Sequence, residues 1–512
     1  MAIRKDTIGT VISIDDIRDF IPENHPCYLI EEIVDRIDFS QWEEAHYDTP
    51  GNPAYHPRVV LRPIIQGYVD GLDSGRAVAR HINTDLAYMY LCGLDKPDFR
   101  TINRFYKEFP DVITKTLLEV VKFAKEKGLV KLGSLGLDST SIEANASSFN
   151  VADEKQIQAI LETIKEIIRK NEEEDEQLGE NNDGNSIEIK EDSEEFEKIY
   201  KEVVEYAKKQ LPGDKLKFPA RKQLKNAIKN PEKTLSKMQD RLEHLNNSTQ
   251  NTINLTDPES IWRPNKKNNM TMGYNIHHIV DMDSGIILST GVSTNPDDHK
   301  DFIPQFEHYE ELYGQIPQTT ALAADNGYYS EENLNIINKK EWDAYIPNKE
   351  LATLFKKNKN ELKPFSKYNF TFSNDFSYCT CPNNQKLTKH NTQITDKGTK
   401  TFYYADSYKT CQNCPFYKEC CKSSTQKIIT YYGGDLAKDM YLKMQSSQGK
   451  EIYSKRIPSV EPTFAQMKHN QGITQLRACG TEQAQTESEL IAIAQNIIRI
   501  NEYLHQNNNC NT

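Results

Sequence analysis

The stretches that read as strands are short, few and far apart, and this limits the possible folds more than any other feature. Leu135-Gly136-Leu137-Asp138 is an apolar run ending in an acid. Its companions lie only beyond residue 272. Tyr274 to Asp281 alternates like a strand, and Gly285 to Val292 follows an Asp283-Ser284-Gly285 turn as the second arm of a hairpin. Thr319 to Ala324 is a small-residue strand that ends at Asp325, and Ala344-Tyr345-Ile346-Pro347 is the last short strand. A sheet built from these pieces must be assembled across more than a hundred residues of helical pattern.

Those helical stretches set the expected boundaries. Residues 1–130 read as an N-terminal helical block. Asp15 and Asp16 precede an apolar stretch, and Pro57 to Ile65 opens another helix. Ser74 can cap a helix carrying Arg76 and Arg80, and Asp98 one whose Arg100, Asn103 and Arg104 share a side. That is the pattern of a recognition helix in a helix-turn-helix-like unit, although a plain bundle with an arginine face looks the same. Ile113, Leu117, Leu118, Val121 and Phe123 line a further amphipathic helix at 111–130. Residues 131–149 hold the first core strand, and 150–265 a charged helical insertion. Its basic stretch from Lys215 to Arg241 suits phosphate contact or a solvated face equally. Residues 266–349 continue the core, 350–435 form a cysteine-rich insertion, and 436–512 return to helix. Strand, hairpin, strand with acid, helix, strand is the order of a ribonuclease-H-like α/β core.

A formal net charge of −12, evenly spread, would disfavour contact with nucleic acid. It is concentrated. Residues 172–197 carry thirteen acids against one lysine, so the remainder is neutral overall and local basic surfaces are allowed. The acidic run reads as a solvated, partly disordered excursion. No run of 18 apolar residues occurs, so no membrane span is expected. The opening Met1-Ala2-Ile3-Arg4-Lys5-Asp6 has no apolar signal core, and a cytoplasmic location is the expectation.

Three acids stand in distinctive neighbourhoods: Asp138 in Gly-Leu-Asp-Ser-Thr, Asp325 in Ala-Ala-Asp-Asn-Gly-Tyr, and Glu461 in Tyr453-x-x-Arg456-(x)4-Glu461-(x)6-Lys468. Carboxylates on separate elements that converge on a pair of divalent ions are what two-metal phosphoryl transfer requires. Glu461 and Lys468, seven apart, would share a helix face. Other acids compete. Asp283 reads as a turn residue, and Asp297-Asp298 as a helix cap. A zinc hydrolase would need histidine ligands, and His277, His278 and His299 lack His-x-x-x-His spacing.

Six of the ten cysteines fall in the polar stretch 350–435. Cys379-Thr380-Cys381, Cys411-Gln412-Asn413-Cys414 and Cys420-Cys421 could place four thiolates around Zn²⁺. Cys381, Cys411, Cys414 and Cys420 or Cys421 form the expected set, with Cys379 interchangeable with Cys381. Zinc would then hold together a small ribbon-like insertion lacking its own core. Free thiols or a redox Cys-x-x-Cys are the alternatives.

Taken together, these motifs resemble a bacterial insertion-sequence transposase of the DDE class, in the branch with a Tyr-Arg-Glu-Lys signature. The resemblance also draws on Tyr55-His56-Pro57-Arg58, Pro97 to Ile102, Glu143-Ala144-Asn145-Ala146 and Gly273-Tyr274-Asn275. It implies a ribonuclease-H-like fold, Mg²⁺ or Mn²⁺ held by Asp138, Asp325 and Glu461, and cleavage of transposon ends with joining to target DNA. Tyr453, Arg456 and Lys468 would be accessory, with Arg456 and Lys468 on DNA phosphates. The partners implied are double-stranded DNA, bearing terminal inverted repeats or target sequence, and a second copy of the chain. The signature departs from its commonest form, with four residues between Arg456 and Glu461 where three are usual. A domesticated, inactive DNA-binding descendant would carry the same motifs.

Overall fold

The computed structural model describes residues 14–46, 54–72, 74–178, 193–211, 218–248, 250–264, 269–356, 363–395, 398–421 and 424–510. Most of the acidic run, together with Lys215 and Lys217, lies outside the described residues. Two compact units emerge. One comprises Met1–Thr140, Ile276–Ile473 and Ser488–Thr512, and the other Ser141–Asn275 and Thr474–Glu487.

The strands in chain order begin with β1 (Ser134–Glu143), β2 (Val151–Asp153), β3 (Thr252–Asn254), β4 (Ile261–Pro264) and β5 (Met270–Asp281). The α/β layer continues with β6 (Ile287–Ser293), β7 (Ala321–Ala324) and β8 (Asp343–Tyr345). In the first unit the sheet order is β6-β5-β1-β7-β8. β1 pairs parallel with β7, Leu135 opposite Leu322 and Leu137 opposite Ala324, and β7 pairs parallel with β8. Leu135, Leu137 and all four β7 residues are buried, as a strand covered on both faces must be. The β5–β6 hairpin forms where expected, but its turn is held by a different acid. Buried Asp281 accepts from the Ser284 amide (3.0 Å) and hydroxyl (2.6 Å), while Asp283 stands 3.9 Å from Lys455.

Helices precede the sheet. Ser74 caps Gly75–Ile82 by accepting from the Ala77 amide at 3.2 Å, and Asp98 caps Phe99–Glu108 through the Thr101 amide at 2.8 Å. Each such cap stabilises its helix by about 1 kcal/mol. Glycine at 75 lets these two helices approach, since a Cβ there would lie 3.2 Å from Ile102 Cγ2.

In the second unit, β2 pairs with β3 and β4 pairs with the start of β5. The helices Glu154–Leu178, Glu194–Lys209, Phe218–Lys229 and Pro231–Asn247 share a core that includes Ile157, Ile160, Ile164, Leu224 and Met238. The apolar spacing of this stretch, rather than its charge, builds the bundle.

Residues 371–432 correct the expectation of a coreless insertion. β9 (Thr371–Phe372), β10 (Tyr378–Thr380), β11 (Lys386–Thr395), β12 (Gly398–Tyr404) and β13 (Ile429–Tyr432) form an antiparallel sheet in the order β13-β12-β11-β10-β9. Phe372 and Phe376 stack on each other, and both meet Tyr431 and Tyr441 edge to face, as Phe372 meets Tyr403, with Phe376 and Tyr431 ring centres 5.0 Å apart. The Tyr403 hydroxyl donates to the Phe376 carbonyl at 2.8 Å. Aromatic burial therefore stabilises this sheet without any metal.

The chain closes with the helices Asp435–Gln445, Ser447–Ala465 and Thr481–Cys510. The helix Ser447–Ala465 lies tightly on β1. A Cβ on Gly136 would come within 2.6 Å of Val460 Cγ2 and 3.1 Å of Met282 Cγ. Gly136→Val should therefore destabilise the chain by about 1–3 kcal/mol through overpacking, read as a lower urea midpoint. An unchanged midpoint would mean that the helix can move away at no cost.

Candidate active site

Strand register brings two of the three acids together. The β1–β7 ladder ends at Leu137 and Ala324, so Asp138 and Asp325 are the next residue on each neighbouring parallel strand. Adjacent strands run about 4.8 Å apart. Asp138 does not end its strand, as the sequence suggested, because β1 continues to Glu143. What ends there is the pairing with β7, and this opens a notch at the two carboxylates.

Each carboxylate is fixed locally. Asp138 Oδ1 accepts from the Ser139 amide at 2.8 Å, and Asp325 Oδ1 accepts from the Gly327 amide at 2.7 Å, capping the short turn Asn326–Tyr328. Arg456 Nη1 donates to Asp138 Oδ2 at 2.8 Å, and Arg456 is only 3% exposed. Burial pushes the Asp138 carboxyl above its usual range. Arg456 opposes that shift and Asp325 adds to it. One arginine thus serves two neighbouring carboxyl groups. Hard, anionic oxygen donors in that state suit Mg²⁺ or Mn²⁺.

The helix Ser447–Ala465 carries the remaining signature residues, but not on one face. Tyr453 is buried beside Phe355, with the Arg456 guanidinium 5.5 Å from its ring centre. Glu461 is exposed and makes no hydrogen bond or ion pair among the described residues. The spacing explains this. At 100° per residue, a position five beyond Arg456 is turned away from it, whereas one four beyond would share its face. After Ala465 the helix widens into a π turn over Gln466–Asn470, which changes the simple two-turn relation of Glu461 to Lys468. Lys468 Nζ reaches Thr140 Oγ1 at 2.7 Å. Arg456 therefore sits on Asp138 rather than open to solvent, and Lys468 sits two residues along the same strand.

The other face of β1 holds groups that sequence reasoning passed over. His277 is fully buried, with Nε2 3.2 Å from Asp301 Oδ2 and Nδ1 2.9 Å from the Tyr328 hydroxyl. Ligand atoms of His277, Asp298 and Asp301 all lie within 4.8 Å of one another. Asp297 makes no side-chain cap bond at its 3-10 turn, and Asp298 belongs to this cluster, so the pair is not the helix cap expected. Burial would raise the Asp301 carboxyl, but hydrogen bonds from His277, Asn295 and Ser293 hold it below its ordinary range. His278 behaves as the packing group foreseen. It stacks on Phe464 at 4.7 Å, and burial pushes its pKa down to about 3. Tyr328 was visible in the Asp-Asn-Gly-Tyr motif, but no sequence signal tied it to His277.

The N-terminal candidates form an exposed set. Arg76, Arg80, Arg100, Asn103 and Arg104 are all exposed on the two capped helices. Arg76 and Arg100 flank the Phe99 ring, and Arg104 lies 3.9 Å from Glu108. Among the cysteines, Cys381, Cys411, Cys414, Cys420 and Cys421 line one cavity of about 30 Å³. Cys379 is buried in β10 and does not line it. Tetrahedral zinc sets its sulfurs about 3.8 Å apart. Among the described residues no three of these sulfurs come within 4.8 Å of one another, so the donors fit zinc in kind but not in spacing.

Comparison with known families supplies the decisive observation. Residues 380–501 match the transposase DDE domain, and residues 15–108 match a transposase domain, DUF772. Both matches support an insertion-sequence DDE transposase. No curated protein matches it. The first match takes in Glu461, Lys468 and most of the cysteine-bearing sheet. The second takes in all five exposed N-terminal candidates. Asp138 and Asp325 lie between the matched spans, so their pairing rests on the strand register alone. A transposase DDE domain implies nuclease and transposition activity and the binding of DNA. The mixed central sheet with its many helices is compatible with a ribonuclease-H-like transposase core. None of the described helices is long and apolar enough to cross a membrane.

Proposed function

We propose that this transposase cleaves the ends of its element and joins them to target DNA, with Asp138, Asp325 and Glu461 as its metal-binding acids. The observation that carries this reading is the side-by-side position of Asp138 and Asp325 at the end of the β1–β7 ladder. Glu461 joins the reading through its signature and through the domain match that contains it. Its exposure leaves its carboxylate open to solvent, and reaching the pair requires its helix to turn, because Arg456 holds the face toward Asp138. Divalent ions held there would neutralise the transferring phosphate and activate a water or a 3′-hydroxyl. The chain's own groups do the rest. Arg456 restrains Asp138, Tyr453 walls the arginine, and Lys468 beside Thr140 is available to a phosphate. These residues support assignment to the Tyr-Arg-Glu-Lys branch.

The N-terminal helices, residues 1–130, would bind the terminal repeats through Arg76, Arg80, Arg100, Asn103 and Arg104. The core, residues 131–149, 266–349 and 436–512, would carry the chemistry. Residues 150–265 and 350–435 are proposed as insertions into it. Pairing of two ends calls for a homodimer. Action on the bacterial nucleoid follows from that substrate. Zinc at Cys381, Cys411, Cys414 and Cys420 requires those thiols to close in. Elemental analysis should then find about one zinc per chain, lost in a Cys411→Ser/Cys414→Ser double variant. A metal-free preparation with an intact sheet would remove zinc from the account.

The test of the function is a duplex carrying the DNA that flanks the gene. With Mg²⁺, the chain should nick it at the junction of element and flank and leave a 3′-hydroxyl there. Cutting without regard to the junction would contradict the reading.

A further inference from the structure

The far face of β1 carries a hydrogen-bonded chain that the proposed chemistry does not use. Successive strand residues point to opposite faces, so Ser139 lies on the face away from Asp138. The Ser139 side chain lies beside the Tyr328 hydroxyl. The Tyr328 hydroxyl meets His277 Nδ1 at 2.9 Å, and His277 Nε2 meets Asp301 at 3.2 Å. Asp301 is in turn held by Ser293 at 2.9 Å and by Asn295 at 2.6 Å. Tyr328, His277 and Asp301 are all at least 98% buried.

The direction of this chain follows from its ends. Asp301 can only accept, so the His277 proton sits on Nε2 and Nδ1 is an acceptor. The Tyr328 hydroxyl therefore donates to Nδ1. These bonds fix the geometry of Tyr328, His277 and Asp301. Tyr328 also belongs to the turn that Asp325 caps, and its amide donates to the Asp325 carbonyl at 3.3 Å. One side chain thus ties the Asp325 turn to the buried His277 and Asp301.

We propose that Tyr328, anchored by His277 and Asp301, is a positioning residue that fixes the Asp325 turn, and with it the separation of Asp325 from Asp138, for divalent-ion binding. This rests on the reading of Asp138 and Asp325 as metal ligands. Outer groups that orient metal ligands typically change metal affinity by about 10–100-fold when removed. Tyr328→Phe keeps the ring packing and removes only the hydroxyl, and Ser139→Ala removes the hydroxyl beside it with a smaller change.

The test is Mn²⁺ binding to the full chain, followed by electron paramagnetic resonance, with Mg²⁺ titration of DNA cleavage beside it. Both variants should bind Mn²⁺ about tenfold more weakly and need correspondingly more Mg²⁺, with near-normal cleavage at saturation. A residue that served stability alone would lower the thermal midpoint without moving either titration. Unchanged Mn²⁺ affinity in folded Tyr328→Phe, or in Ser139→Ala if Tyr328→Phe does not fold, overturns the proposal. Asp138→Asn separates the two levels. If it binds Mn²⁺ like the unaltered chain, the metal-ligand reading itself is wrong, whatever the other variants do.

Discussion

Asp325→Asn should lose DNA cleavage by about 10³-fold or more, equivalent to about 4 kcal/mol of transition-state stabilisation, while the chain stays folded. Asparagine has the same size, and its amide oxygen can still accept from Gly327, so the turn Asn326–Tyr328 keeps its cap. What disappears is one of two adjacent negative charges. Asp138, whose carboxyl burial and Asp325 both push upward, should ionise more readily in the variant. Native stability at neutral pH should therefore hold or rise slightly even as activity falls. This opposite movement of stability and activity marks a functional charge. Cleavage within tenfold of the unaltered chain would remove Asp325 from the site.

The second large effect concerns Arg456. Removing one member of a buried ion pair leaves the other uncompensated and costs about 3–5 kcal/mol. In Arg456→Met, Asp138 would keep the Ser139 amide but lose its counter-charge, with Asp325 still beside it. Its folded pKa, already raised, would rise further. A carboxyl whose folded pKa lies above its unfolded value contributes stability below the unfolded pKa and loses it as pH rises through the folded one. The deficit of the variant should thus be largest at neutral pH and shrink as the solution is acidified toward the carboxylate range. Urea midpoints of both chains across that interval measure it. A gap that stays constant or widens on acidification would mean that Asp138 is not the group left exposed to the charge.

Much of this arrangement was legible in the sequence, because local rules govern it. Ser74 and Asp98 cap helices as their positions suggested, and the hairpin and the small-residue strand before Asp325 form where the alternation predicts. The pairing of Asp138 with Asp325 was foreseen as a convergence, but its cause, adjacent parallel strands in register, spans 187 residues and has no local signal. The features that escaped are of the same long-range kind. Asp281 rather than Asp283 holds the hairpin turn, since a buried strand-end carboxylate also reaches the Leu132 amide. The His277–Tyr328 contact joins positions 51 apart on different elements. The sheet of residues 371–432 looked coreless because its aromatics are spread among polar residues, and one of them, Tyr441, comes from the following helix. The irregular Arg456 to Glu461 spacing was visible, and helix geometry turns it into a separation of faces.

Crystals of the full chain grown or soaked with Mn²⁺ test the central claim most directly, through anomalous scattering from the ion. The account predicts a peak bonded to carboxylate oxygens of both Asp138 and Asp325. A chain whose Mn²⁺ sits only among His277, Asp298 and Asp301, with the aspartate pair still engaged by Arg456 alone, would contradict it.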